Sequence, residues 1–310
     1  MKTLAKLPAI FDRASNTPLV PIELRAPSGA HVSILVKLEG MNPSGSIKDR
    51  AAITMIRDKI ETGSLTQTTA ILDASSGNMA SALALYGGAL SVAVTVVCSP
   101  MLTADKRRMI TYFGARLINN DLGPYTFDGY RKCLEILAEA PVGRYCFLDQ
   151  LHNPANPAAH QYSTGPEIIR QVPDVRMVVG SLGSGGTMLG IARALRQAGS
   201  TAYIAAVCSA SGTRFPGVGA FDDGDYRTPF INAADEEKAF DVTTRIHHEE
   251  AMSQLAVLRH HGLFCGPQTG AVLAGALHVA DLTGIHDRIV VVSGDSGWKN
   301  WDYLAEPVLP

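Results

Sequence analysis

Three short segments carry residue types and spacings that could do chemistry. In Asn42-Pro43-Ser44-Gly45-Ser46-Ile47-Lys48-Asp49-Arg50, a lysine falls in the first turn of a predicted helix whose apolar positions are Ala51, Ala52, Met55, Ile56 and Ile60. A helix N-terminus is positive and disfavours a cation. A lysine held there, and partly buried, has a lowered pKa and a nucleophilic amine, which is what trapping a carbonyl requires. The same spacing also fits a surface lysine whose stem lies over the helix and whose charge pairs with Asp49. The second segment, Asp73-Ala74-Ser75-Ser76-Gly77-Asn78-Met79, lies between a predicted strand and an apolar helix. Free N–H groups at such a helix start bind anions, a carboxylate above all, and Asn78 adds a side-chain amide. An ordinary capped turn has the same letters. The third, Gly183-Ser184-Gly185-Gly186-Thr187, follows an apolar strand and opens a helix with Met188, Ile191, Ala192 and Leu195 on one face. Several N–H groups can converge there on a phosphate. No Gly-Lys-Ser/Thr follows, and Met188 stands where a dinucleotide fingerprint has its last glycine, so a monophosphate fits better than either alternative.

In order and spacing, Asn42 to Arg50, Ser75 to Asn78, Gln150 to Glu167 and Gly183 to Thr187 resemble the cysteine synthase (O-acetylserine sulfhydrylase) family of fold type II pyridoxal 5′-phosphate (PLP) enzymes, to which the cystathionine β-synthases are related. The block Gln150-Leu151-His152-Asn153-Pro154-Ala155-Asn156-Pro157, followed by His160 and Thr164-Gly165-Pro166-Glu167, is the most specific part. The resemblance runs from Thr17-Pro18-Leu19-Val20 to Asp295-Ser296-Gly297. It implies PLP-dependent β-replacement on an O-activated L-serine, O-acetylserine first, through an α-aminoacrylate intermediate, with sulfide as the default nucleophile and L-cysteine as product. It also implies Lys48 as the Schiff-base lysine that moves the α-proton, and Asn78 as partner of the ring hydroxyl. Gly183, Ser184, Gly185, Gly186 and Thr187 become a phosphate cup, and Ser296 faces the pyridine nitrogen. Ser75, Ser76, Gly77 and Gln150 become the groups that hold the substrate carboxylate, with Met79 where the family usually has a threonine. A neutral hydroxyl at Ser296 leaves the ring nitrogen largely unprotonated, which suits expulsion of a β-substituent better than transamination or racemisation. The implied partners are the amino-acid substrate, its nucleophile and a second copy in a homodimer, with the cytoplasm as location.

The departures from the family pattern bear on substrate, not cofactor. Besides Met79, Leu151 replaces a phenylalanine, Pro267-Gln268-Thr269-Gly270 replaces a Ser-Ser-Gly pattern, and Trp298 and Trp301 are unusual near the C-terminus. They keep open an amine nucleophile, or β-elimination of the deaminase or desulfhydrase kind. His152, beside the substrate loop, could touch a polar substrate or be purely structural. A scaffold without catalysis would leave Lys48, Asn78 and the glycine cup idle.

These residues need elements to position them, and the composition supplies the material. The 310 residues are 46% hydrophobic and 18% charged, enough for two ordinary domains with real cores. A formal net charge of -2 excludes the basic excess that nucleic acid requires. Five widely spaced cysteines show neither a disulfide framework nor metal-ligand spacing, and read as reduced thiols. Ala74 to Ala104 is uncharged, yet Ser75 to Asn78 and Gly87-Gly88 divide it into loop, helix, turn and strand, so no membrane span is expected. Predicted strands are Val32 to Leu38, Ala70 to Asp73, Val92 to Val97, Arg116 to Asn119, Tyr145 to Leu148, Val175 to Gly180, Tyr203 to Cys208 and Arg288 to Ser293. Helix-length patterns separate them. Several strands are continuous apolar runs, as in parallel sheets covered on both faces. The expected class is α/β with two mostly parallel sheets flanked by helices: an N-terminal domain over 1–150, a C-terminal domain over 151–310, and 12–38 crossing into the other domain. Gly219 to Asp235, rich in Gly and Asp, reads as a long surface loop able to cover a cleft.

Overall fold

The computed structural model describes residues 7–75, 77–100 and 102–304. Its ten strands are β1 (Leu19–Arg25), β2 (His31–Leu38), β3 (Ala70–Ala74), β4 (Val94–Cys98), β5 (Arg116–Asn119), β6 (Tyr145–Phe147), β7 (Met177–Ser181), β8 (Tyr203–Ser209), β9 (Val242–Ile246) and β10 (Ile289–Ser293). The helices are α1 (Lys48–Glu61), α2 (Asn78–Ala89), α3 (Ala104–Tyr112), α4 (Thr126–Glu139), α5 (Ala155–Ala159), α6 (Gly165–Gln171), α7 (Gly186–Gln197), α8 (Pro229–Glu236), α9 (His248–His260), α10 (Pro267–Thr283) and α11 (Trp301–Leu304). The chain divides into two units, one of Asn42–Asn156 with the stretch up to Ala14, the other of Ser15–Met41 and Pro157 onward.

The first unit carries the four-stranded parallel sheet β5-β4-β3-β6. Every residue of β3 and β4 is buried, which explains runs with no polar alternation. On one face Leu72, Ala74 and Val97 pack on Cys133 of α4. On the other, α2 lies so close that a Cβ at Gly87 would overlap Val94, with Ile71 beside it. Past β6, the Asn153 amide donates to Leu148 O at 2.8 Å and the Asn156 amide to Gln150 O at 2.8 Å, keeping 150–156 with this unit.

The second unit carries the six-stranded sheet β1-β2-β10-β7-β8-β9, parallel except for the β1–β2 pair. Val32, Ile34 and Val36 of β2 share a core with Met177, Val179, Val291 and the buried face of α10. Complete burial of each such side chain is worth about 1.5–3 kcal/mol. The opposite face of β2 encloses a charge: Lys37 is 0% exposed, and its ammonium donates to Glu167 Oε1 at 2.9 Å, Gln171 Oε1 at 2.9 Å and Thr17 O at 3.2 Å. The Thr17 hydroxyl donates to buried Glu39 at 2.7 Å.

The sequence pattern missed two strands. β1 carries Pro21 and β9 reads Val-Thr-Thr-Arg-Ile, and both are edge strands, where polar residues and proline are tolerated. The stretch expected to be a loop from Gly219 to Asp235 contains a 3-10 turn at Phe221–Asp223 and most of α8, which starts at Pro229 with the Thr228 hydroxyl as its cap. All five cysteines are free and buried. Among the described residues, no helix is long and apolar enough to cross a membrane, and no group of His, Cys, Asp and Glu could hold a metal ion.

Between α5 and α6 the chain runs through a π-helical turn, His160–Thr164, that packs on α7. Gly190 of α7 permits this contact: a Cβ there would overlap Pro157 O and lie 2.8 Å from both Gln161 N and His160 Cβ. Replacing Gly190 with alanine therefore lowers unfolding stability by about 1–3 kcal/mol, the range for overpacking a close contact. Urea titration of parent and variant checks this, and an unchanged midpoint would contradict the packing argument.

Candidate active site

In the first unit the candidate residues stand at the start of α1 and at the C-terminal ends of β3 and β6, the ends at which parallel α/β sheets place ligands. Lys48 is the first residue of α1, half-buried. It makes no ion pair among the described residues, and burial brings its ammonium down from the usual lysine range to about 8. Asp49 is not its counter-ion. The Asp49 carboxylate turns back into the core, where it accepts from Ser44 N at 2.7 Å, from the Ser44 hydroxyl, and from the Tyr86 hydroxyl at 2.7 Å. This ties the loop before Lys48 to α2, the helix that begins at Asn78.

The loop between β3 and α2 is fixed from within and from β6. The Ser75 hydroxyl oxygen accepts from Gly77 N at 3.2 Å and Ala80 N at 3.3 Å, so it closes the start of α2. Gln150 donates to Ala74 O at 2.6 Å and is itself buried. Asn78 stands at the first position of α2, where backbone N–H groups have no partner within the helix. Ser76 lies outside the described residues. Met79 is 1% exposed, so its thioether belongs to the core of α2 and leaves only its backbone near the loop. His152 is held from one side: its Nδ1 meets Asp149 Oδ1 at 2.9 Å and its ring lies 4.7 Å from that of Tyr130. Sequence reading passed over Asp73, at the end of β3. One of its oxygens accepts from Ala74 N at 2.8 Å, while Oδ2 is buried with no hydrogen-bond partner among the described residues. Burial, and then the charge of Asp149, raise this carboxyl to about 8, so it is protonated at neutral pH.

In the second unit, β7 ends at Ser181 and the glycine segment turns the chain into α7. Gly185 is the N-cap at φ 85°, and a Cβ there would come within 2.7 Å of Ile231 Cγ1, so geometry and packing both require glycine. Gly186, Thr187 and Met188 present N–H groups that have no partner within their own twelve-residue helix. The Thr187 hydroxyl meets His160 Nε2 at 3.2 Å, and His160 Nδ1 meets the Thr164 hydroxyl at 2.9 Å, which fixes its direction. Ser184 lends its carbonyl to the Thr228 hydroxyl.

Ser296 follows β10. Its backbone is pinned by a bridge to Cys265, by Gly297 N donating to Phe264 O at 2.9 Å, and by the Asn300 amide donating to Ser296 O at 3.0 Å. The half-buried side-chain hydroxyl takes no part in this. Ser293 differs, since its hydroxyl is committed to Thr269 at 2.9 Å and to Cys265 at 3.5 Å.

A family profile described as pyridoxal-phosphate dependent enzyme matches residues 10–295. The chain is 34% identical over 271 residues to cysteine synthase B of Salmonella typhimurium, covering 86% of each protein. Cysteine synthase B of Pseudomonas aeruginosa is 33% identical over 279 residues, 88% of this chain and 89% of that one. Among solved structures, a hydrogen sulfide-producing enzyme from Fusobacterium nucleatum has a TM-score of 0.83 at 26% identity, covering 95% of this chain and 99% of its own. An O-ureido-L-serine synthase has a TM-score of 0.86 at 24% identity, covering 98% and 96%, a likeness of fold. The donors present fit the cofactor that the profile names: an amine of lowered pKa for an aldehyde, helix-start N–H groups with a threonine hydroxyl for a phosphate, and a neutral serine hydroxyl for a weakly basic ring nitrogen. With the profile spanning most of its length and cysteine synthases among its relatives, the chain belongs to the pyridoxal-phosphate-dependent enzymes of fold type II.

Proposed function

We propose that this enzyme catalyses β-replacement on an O-activated L-serine, O-acetyl-L-serine in the first instance, with sulfide as nucleophile. One observation carries the reading: the half-buried amine of Lys48, with no ion pair among the described residues and its ammonium held at about 8, in a chain whose relatives include cysteine synthases. Bound PLP supplies an electron sink for the pair released at Cα. The Lys48 Nζ holds the aldehyde carbon, then takes and returns the Cα proton. The N–H groups at the start of α2, with Ser75, Ser76, Gly77 and Gln150, bind and orient the substrate carboxylate, and Asn78 meets the ring hydroxyl. The Gly183–Thr187 turn binds the phosphate, and Ser296 donates weakly to the pyridine nitrogen. Acetate leaves the β-carbon and hydrosulfide adds there, so O-acetylserine and sulfide give cysteine and acetate. Positioning the leaving group against fixed donors removes much of the entropic barrier. The same reading takes the chain as a cytoplasmic homodimer.

Met79 favours a second reading. A buried thioether cannot donate the hydrogen bond that a threonine gives the carboxylate, so the substrate is held by fewer groups, which suits β-elimination or an amine nucleophile. Product analysis with O-acetyl-L-serine, with and without sulfide, decides: cysteine and acetate in equal amounts support replacement, whereas pyruvate formed at the same rate in either case supports elimination.

Three outcomes test the residue roles. Lys48→Ala loses turnover but still binds PLP noncovalently, because the phosphate donors lie elsewhere; wild-type turnover in this variant would refute the lysine's role. Covalent capture of PLP at Lys48, trapped by borohydride and located by mass spectrometry, slows about tenfold per pH unit below pH 8 and levels off above it. The sign follows from the lowered pKa, since only the neutral amine attacks and its fraction falls as pH drops. Gly185→Val forces a branched side chain into a positive-φ turn against Ile231 and lowers PLP affinity by about 1.5–3 kcal/mol, the worth of one charge-assisted hydrogen bond. An unchanged titration curve would place the phosphate elsewhere.

A further inference from the structure

Asp73, on β3, is a carboxyl inside a wholly buried strand, 1% exposed. Its neighbours Leu72 and Ala74 face α4, where a Cβ at Gly129 would lie 3.1 Å from Ala74 Cβ. Strand alternation therefore turns Asp73 to the other face, the side on which Ile71 lies against α2. Its bonds tie it to the loops read as holding the substrate carboxylate. Ala74 N donates to Asp73 Oδ1 at 2.8 Å, and the main chain of Gln150 also bonds the carboxyl. The Gln150 amide closes the junction by donating to Ala74 O at 2.6 Å, and two residues after Asp73 the Ser75 hydroxyl oxygen closes the start of α2. Yet Oδ2 is buried with no hydrogen-bond partner among the described residues, and Asp73 makes no ion pair among them. The elements around it bring no lysine or arginine to its side. After β6 comes Asp149, whose carboxylate is held by His152, and α4 brings the Cys133 thiol. Strand β4 has only the Cys98 thiol at its end, and α2 has only Tyr86, committed to Asp49. A buried carboxyl with nothing to balance its charge is held as the acid.

We infer that Asp73 is a positioning group for the substrate carboxylate, a neutral acid that fixes the junction of Ala74 and Gln150 while leaving the start of α2 to a single anion. This deepens, and rests on, the reading of that helix start with Ser75, Gly77 and Gln150 as the carboxylate site. Two carboxylates beside one helix start repel each other when both are charged, so an ionised Asp73 excludes the substrate. Burial, and then Asp149, place that ionisation at about 8. Below this pH the acid is neutral and the anion binds; above it Asp73 is charged, and affinity falls as pH rises.

The test uses the holoenzyme and L-alanine, which has the substrate's carboxylate but no leaving group, with binding read from the cofactor's visible absorbance across neutral and alkaline pH. Asp73→Asn keeps the shape of the side chain and cannot ionise. The dissociation constant of the parent divided by that of Asp73→Asn is constant up to about pH 8 and then rises about tenfold per pH unit. Taking the ratio cancels the titration of alanine's own amine. Asp149→Asn removes a charge that opposes ionisation of Asp73, and asparagine tolerates the positive φ of 55° found there, so this variant weakens alanine binding from a lower pH than the parent does. It decides the matter should Asp73→Asn fail to fold. A ratio that stays constant at every pH would overturn the inference, as would an alkaline loss that Asp149→Asn leaves at the parental pH. L-Alaninamide tests the carboxylate site separately: corrected for its fraction of free amine, it binds the parent more weakly than L-alanine at neutral pH. Equal binding would overturn the carboxylate site and the inference with it, whereas weaker binding with a constant ratio overturns the inference alone.

Discussion

A lysine with no access to water must be neutralised by the fold, and Lys37 sets that condition in the second unit. It lies on β2, between β1 and β10, and its ammonium is satisfied by Glu167, Gln171 and the Thr17 carbonyl. Removing one member of such a cluster leaves an uncompensated buried charge, a loss of about 3–5 kcal/mol. The geometry is therefore all or nothing, and it reaches far. Glu167 belongs to α6, which packs on α7, the helix whose start forms the glycine cup. Two residues after β2, Gly40 lies so close to the turn after β10 that a Cβ there would come within 2.7 Å of Ser296 N. One satisfied charge thus holds together the strand order, the helix that presents the cup and the backbone that carries Ser296.

The second recurrent device is the helix start at the end of a buried parallel strand. It occurs after β3 and after β7, and each time a neighbouring residue freezes the loop: Gln150 through the Ala74 carbonyl, Thr228 through the Ser184 carbonyl. In the proposed function these N–H groups bind anions, a role that is useful only if they need not reorganise when the anion arrives. The start of α1 meets the same requirement differently. Asp49 is spent on Ser44 and Tyr86, the neighbouring amine makes no ion pair among the described residues, and burial brings its ammonium down to about 8.

What could be read beforehand was whatever depends on local pattern. Runs such as Val290-Val291-Val292 announce a strand buried on both faces, and Gly183 to Thr187 announces a helix start with open N–H groups, because both signals lie within a few residues. What could not be read depends on distant partners. The letters suggested Asp49 as the partner of Lys48, whereas Asp49 accepts from Ser44 and from Tyr86, the latter thirty-seven residues away from it. Ser181 and Gln268 are separated by eighty-seven residues and look unrelated until the sheet brings β7 beside the start of α10. Edge strands β1 and β9 lack the apolar runs of central strands because one side of each is unpaired. Met79 kept its place in the loop motif on paper, but the helix turned its side chain inward.

The cysteines acquire a meaning from the chemistry proposed for the site. A catalyst that handles sulfide and free thiols works amid reagents that exchange with disulfides and attack or oxidise accessible thiolates. Here burial raises every cysteine away from its thiolate: Cys146 and Cys208 to about 11, and Cys98, Cys133 and Cys265 in the same direction. Since the thiolate is the reactive form, the protein's own sulfur is insulated from mixed disulfides and persulfides without the need to remove cysteine from the core. The same packing that stabilises the sheets thereby keeps these five thiols in their unreactive form in the presence of the proposed reactants and products.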